Sequence, residues 1–90
     1  MQKFALGRTL ITLGAQEALE NAGQTPDFFL DMHAKGHWGQ VCRDDKQAND
    51  DALTEGGRIL SAYKTLAGVK IWVITEWDRS ATTILLPSEY

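Results

Sequence analysis

Three runs decide the reading of this chain: Ile59-Leu60-Ser61-Ala62-Tyr63-Lys64-Thr65, Lys70-Ile71-Trp72-Val73-Ile74-Thr75-Glu76-Trp77 and Thr82-Thr83-Ile84-Leu85-Leu86. β-branched and aromatic residues dominate all three, and turn formers separate them. Leu66-Ala67-Gly68 follows the first run, Asp78-Arg79-Ser80-Ala81 follows the second, and Pro87 stops the third. The pattern predicts three short strands joined by tight turns, an antiparallel meander. In the central strand Ile71, Val73 and Thr75 point one way, while Trp72, Ile74 and Glu76 point the other. Both faces are therefore largely apolar. Helices can cover one of them well; the other is either curled over by the N-terminal segment or used in association.

Upstream, Arg8-Thr9-Leu10-Ile11-Thr12 reads as a strand between Gly7 and Gly14. Ala15 to Ala22 follows as a helix closed by Gly23, with Ala15, Ala18, Leu19 and Ala22 on one face. Thr25 caps a second helix that has Pro26 at its first position and ends at Gly36. The adjacent Phe28 and Phe29 suggest that this helix is wedged between the sheet and another element. Asp44 is read as the cap of a third helix, with Gln47 completing a capping box. Asp45 to Glu55 is polar apart from Ala48, Ala52 and Leu53, the pattern of a surface helix with a narrow buried seam. The predicted fold is α+β, in the order strand, three helices, three strands. It forms a single domain over residues 1–90, an antiparallel meander with helices packed on one face.

A chain of 90 residues can bury roughly 60–65% of its unfolded surface, enough to fold alone with little margin. Its 43% hydrophobic and 23% charged residues are ordinary for a globular protein. The stretch after Met1 is not patterned as a leader, and no apolar run approaches twenty residues, so neither secretion nor membrane spanning is expected. The lone Cys42 cannot form an internal disulfide, which fits a reducing cytoplasm. Charge is neutral up to Arg43; the net −3 arises from Asp44 onward, where eight acidic residues face five basic ones. Phosphate neutralisation supplies most of a nucleic-acid binder's affinity, and no basic stripe is visible. Direct nucleic-acid binding is the class this composition opposes most clearly.

Several constellations could carry chemistry. His33 and His37 are spaced i, i+4, and with Cys42 or Asp31 they would resemble a zinc set. Gly36 lies between them and should break the helix, so no metal site is predicted. No glycine-rich phosphate loop, dinucleotide fingerprint or nucleophile elbow is present, so no cofactor is predicted. Arg58, Tyr63, Lys64 and Arg79, with His33 and Tyr90 in reach of the same argument, supply residue types for cleaving an RNA phosphodiester. Sequence shows those types and not their convergence. Arg79, beside Glu76 and Asp78, either pairs with a nearby carboxylate or contacts a partner from a loop tip. Of the three tryptophans, Trp38 falls in a loop, and Trp72 and Trp77 project to opposite faces; an exposed ring is a candidate interface anchor.

The segment Trp72 to Tyr90, with Gly36-His37-Trp38-Gly39 and Arg58-Ile59-Leu60-Ser61-Ala62-Tyr63, resembles a family of small proteins encoded on plasmids and other mobile elements of proteobacteria. The resemblance implies a bacterial cytoplasmic setting and an accessory role, and carries no catalytic assignment. The element order also resembles the RelE/ParE toxin fold, whose members act on the ribosome or gyrase and are typically basic, unlike this acidic chain. The resulting expectation is a non-enzymatic binding protein that occupies a surface of a host protein, as anti-restriction or anti-CRISPR inhibitors do. Such a partner could itself be a nucleic-acid-binding defence complex, because acidic inhibitors compete for basic grooves. The expected contact residues are Asp44, Asp45, Asp50, Asp51 and Glu55 along the third helix, with Trp77 and Arg79 as anchors. The alternatives are a ribonuclease toxin using Arg58, Tyr63, Lys64 and Arg79, and a homodimer formed through the exposed sheet face.

Overall fold

The computed structural model describes residues 2–90. Strand β1 (Arg8–Ile11) is followed by helices α1 (Leu13–Ala22), α2 (Pro26–Ala34) and α3 (Arg43–Glu55). Strands β2 (Ile59–Lys64), β3 (Lys70–Thr75) and β4 (Ala81–Leu85) come next, and a turn of 3-10 helix spans Pro87–Glu89. The α+β class and the element order are those expected. The sheet differs in one respect. β2, β3 and β4 form the antiparallel meander, but β1 adds beside β4 in parallel, giving a mixed sheet of order β1-β4-β3-β2.

The approach of β1 to β4 needs a glycine. Gly7 sits at φ +66°, and a Cβ there would fall 2.3 Å from the Arg79 carbonyl oxygen and 2.5 Å from that of Ser80. Only a residue without a side chain lets β1 enter at that point.

Helix starts differ from expectation by local chemistry. Thr12 caps α1 through its hydroxyl, which accepts from Ala15 N–H, so α1 begins at Leu13. Cys42, rather than Asp44, caps α3, its sulfur accepting from Asp45 N–H at 3.4 Å. Asp44 and Gln47 therefore lie inside the helix and make no capping box. The phenylalanine pair of α2 divides: Phe29 is buried and Phe28 is exposed. α2 thus buries one side against the sheet and is not wedged between two neighbours.

Register places Ile59, Ser61, Tyr63, Ile71, Val73, Thr75, Thr82 and Ile84 on the helix-covered face. Here Ala15, Leu19, Phe29 and Leu30 of α1 and α2 pack on Tyr63, Ile71, Val73 and Ile84. Trp38, Ala52 and Ile59 form a second buried group beside it. The opposite face carries Leu10, Leu60, Ala62, Trp72, Ile74, Thr83 and Leu85. It is the chain's C-terminal turn, not the N-terminal segment, that curls over this face, and Tyr90 packs edge-on against Trp72 at 5.7 Å.

The outer edge of β2 is closed at Leu60 and Ala62. Asn49, 2% exposed, accepts from Leu60 N–H (3.0 Å) and donates to Leu60 C=O (2.7 Å). Ala62 N–H donates to Trp38 C=O (3.0 Å), and Ala62 C=O accepts from Gln40 N–H (2.6 Å). Gly39 makes this approach possible, since a Cβ there would meet the Ala62 oxygen at 2.1 Å. Among the described residues, no helix is long and apolar enough to cross a membrane.

Candidate functional site

Of the expected contact residues, Trp77 and Arg79 share the β3–β4 turn, and one side chain, Arg79, ties that turn to the C-terminal end of α3, the helix that carries the five acidic ones. Arg79 holds a left-handed backbone at φ +62°, the one non-glycine residue to do so among those described. That conformation ends the β3–β4 turn and folds the guanidinium back across the molecule. It donates to Gly57 C=O (2.6 Å), Glu76 C=O (3.1 Å) and Trp77 C=O (3.2 Å), and to Ala52 C=O (2.9 Å) near the end of α3. It also lies 5.7 Å from the centre of the Phe4 ring. A planar cation with five donors suits this cluster of carbonyls, among them those at a helix C-terminus. Arg79 is therefore a clamp and not an exposed anchor. Its effect is to fasten the β3–β4 turn beside the C-terminal end of α3.

Trp77 rides on that turn with 71% of its surface exposed. Glu76 and Asp78 flank it, both exposed. Hydrogen bonds from Ser80 hold the Asp78 carboxyl below the ordinary carboxylate range, and the Ser80 N–H contact measures 3.1 Å. On α3, Asp44, Asp45, Asp50, Asp51 and Glu55 are all exposed. Helical spacing sets Asp44, Asp51 and Glu55 on one stripe, away from the buried seam of Asn49 and Ala52. Asp50 accepts from the Trp38 indole N–H (3.1 Å) and Asp51 from Gln47 (3.0 Å). None of the five is in an ion pair: the ion pair found among the described residues is Lys35 with Asp31, at 2.9 Å. The exposed carboxylates of α3 and the exposed Trp77 and Asp78 thus lie on two elements that Arg79 joins at the C-terminal end of α3.

Charge is segregated through the fold. Nine of the twelve carboxylates lie on α1, α2 and α3, whereas the strands carry Arg8, Lys64 and Lys70 and no carboxylate. Lys64 and Lys70 are register partners on the face opposite the helices.

The four residues of the ribonuclease reading do not converge. Tyr63 is buried on the helix-covered face, donates to His37 C=O, and has its phenol pushed up to about 12 by burial. Lys64 follows it and points to the opposite face. Arg58 donates to the Tyr90 hydroxyl with its guanidinium 5.2 Å from that ring, and Arg79 is engaged by carbonyls.

His33 and His37 are also separated in role. His33 is 0% exposed, Nδ1 lying 2.5 Å from Ser61 Oγ and Nε2 2.8 Å from Thr75 Oγ1. Thr82 donates to Leu6 C=O, so its oxygen accepts from Thr75, 2.7 Å away, and Thr75 in turn accepts from His33 Nε2–H. Ser61 then donates to Nδ1. The chain of bonds runs one way and fixes the tautomer. Burial pushes the imidazole down to about 4, so it stays neutral at pH 7. A serine beside a histidine suggests a nucleophile and its base, but this pair is sealed beneath Phe4 and Trp38. It holds the sheet to α2. Cys42 is exposed and caps α3.

Sequence reading missed Asn49, Thr12 and Glu89. A carboxamide inside a helix's narrow apolar seam was the available signal for Asn49. Glu89 accepts from Thr12 Oγ1 (2.5 Å), Leu86 N–H (2.8 Å) and Gly14 N–H (3.2 Å), and these bonds, Thr12's first, hold its carboxyl below the ordinary range. It lies more than seventy residues from Thr12, where no local pattern reaches.

Comparison of the chain with protein-family models, with curated proteins and with solved structures found no match.

Proposed function

We propose that this chain is a non-enzymatic binding protein of a bacterial mobile element that inhibits a host defence component by occupying its basic, nucleic-acid-binding surface. The observation that carries this reading is the Arg79 clamp, which fastens the turn bearing exposed Trp77 to the C-terminal end of the acidic helix α3. A fixed tryptophan inserts into a partner's pocket at little entropic cost, and the surrounding carboxylates steer it to a positive surface. The setting in a mobile element rests on the resemblance of Trp72 to Tyr90 described above.

The test is capture from a bacterial lysate on immobilised protein, beside Trp77→Ala and a double variant, Asp51→Lys with Glu55→Lys. The expected catch is a nucleic-acid-binding protein released by salt and by competing DNA, and retained at least about tenfold less by either variant. Capture that is indifferent to both variants, or no specific capture, overturns the reading.

A further inference from the structure

β1 is bonded to β4 along one side only. Arg8 N–H donates to Ser80 C=O and Thr12 N–H to Ile84 C=O, both at 3.0 Å. Alternation along the strand then aims the N–H and C=O of Thr9 and Ile11 away from the sheet. Among the described residues neither N–H has an acceptor. Arg8, Thr9 and Leu10 are exposed, and a groove of about 480 Å³, lined in part by Leu6, Thr9, Asp27 and Leu30, lies alongside. Native sheets usually blunt such an edge with lysine, proline, a bulge or a covering segment. Arg8–Ile11 has no lysine, proline or bulge, and Leu10 stands 43% exposed on it.

We propose that β1 is a self-association edge, onto which a second copy of this chain adds antiparallel to join two four-stranded sheets into one of eight. The hydrogen-bonded pairs must involve Thr9 and Ile11, since these carry the outward groups. Pairing Thr9 with Ile11 of the second copy sets Thr9, Leu10 and Ile11 opposite one another and leaves Arg8 one residue past the strand; centring on Thr9 sets Ile11 opposite Gly7 instead, and centring on Ile11 keeps only Ile11 within the strand. In the first register Leu10 meets Leu10 of the second copy on the axis, as a non-hydrogen-bonded pair with Cα atoms about 4.5 Å apart. Arg8 falls opposite Thr12 of the second copy, and Thr12 is the residue whose hydroxyl holds the Glu89 carboxylate. The two-fold therefore brings a guanidinium to a carboxylate twice, which favours a second copy over an unrelated strand. A strand pair this short buries less than the roughly 800 Å² per partner of a standard interface, so the dimer is a weak one.

Sedimentation of the full chain, from micromolar to about 1 mM, reads this directly. The expected result is a monomer–dimer equilibrium that disappears in Thr9→Pro, which removes an outward N–H and leaves the β4 ladder intact. Leu10→Lys should weaken the dimer at least about fivefold by setting two like charges on the axis. A monomer throughout that range overturns the proposal, as does a dimer indifferent to both variants. Amide exchange in the unaltered chain decides the matter without a variant. Thr9 and Ile11 should exchange more slowly as concentration rises, and rates independent of concentration overturn the proposal equally.

Discussion

The two edges of this sheet solve opposite problems. At β2 every outward backbone group of Leu60 and Ala62 has a partner, supplied by Asn49 and by the segment Trp38–Gln40. At β1 those of Thr9 and Ile11 face outward without one. An unsatisfied backbone group costs about 1–3 kcal/mol only where water cannot reach it, so β2, roofed by α3 and Trp38, needs its seal and β1 in solvent does not. Closure here follows burial, not strand length. The same sheet can thus be sealed along the buried part of one edge and available on the other.

Matched substitutions at the two edges should separate most widely of all. Ala62→Pro removes the N–H that bonds Trp38 and drives a ring into a closed edge. It should cost about 4 kcal/mol in urea denaturation and lower Tm by about 15 °C or more. Acid should act next most strongly, and on the closed side, because His33 bridges Ser61 of β2 and Thr75 of β3. Above pH 6.5 the imidazole is neutral folded and unfolded, and its contribution is complete. Between 6.5 and about 4 the unfolded chain takes up a proton that the folded chain refuses, so stability falls with pH by about 3 kcal/mol in all. Urea titrations at several pH values should show that slope, and His33→Gln should flatten it. The lowered carboxyls of Asp31, Asp78 and Glu89 add their own losses at lower pH, as they protonate.

Asn49→Ala leaves the Leu60 N–H and C=O without partners beneath α3, and should cost about 2–3 kcal/mol by chemical denaturation. Thr9→Pro, the counterpart of Ala62→Pro, should change the stability of dilute protein by less than about 0.5 kcal/mol. A large loss at Thr9 would erase the distinction between the edges; a negligible loss at Ala62 would do the same from the other side.

What could be read in advance follows the range of the forces involved. The meander was legible because alternation and turn chemistry are local: Ile71, Val73 and Thr75 are buried together as their spacing requires. The acidic character of α3 and the exposure of one tryptophan were legible for the same reason. The parallel entry of β1 was not, since its register partners, Arg8 and Ala81 among them, are distant in the chain and leave no periodic trace. The role of Arg79 was read as one of two surface contacts. A left-handed arginine reaching four carbonyls depends on α3 and β2 arriving at the same place, and the turn's composition holds no sign of it. Tyr63 and Lys64 could have been separated from the start, because adjacent strand residues face opposite ways.

The parallel pairing of β1 with β4 also sets the timing of assembly. β1 is synthesised before the three helices and the meander, yet its sole partner among the described residues is β4, the last of the four strands. Until Ala81–Leu85 is made, α1 and α2 have no complete sheet to cover, and Leu10 and Ile11 wait with nothing to pair against. Contacts of such long sequence separation form late and slow the search for the native state. The meander can assemble from neighbouring residues, so closure by β1 is the step that the rate of folding should report.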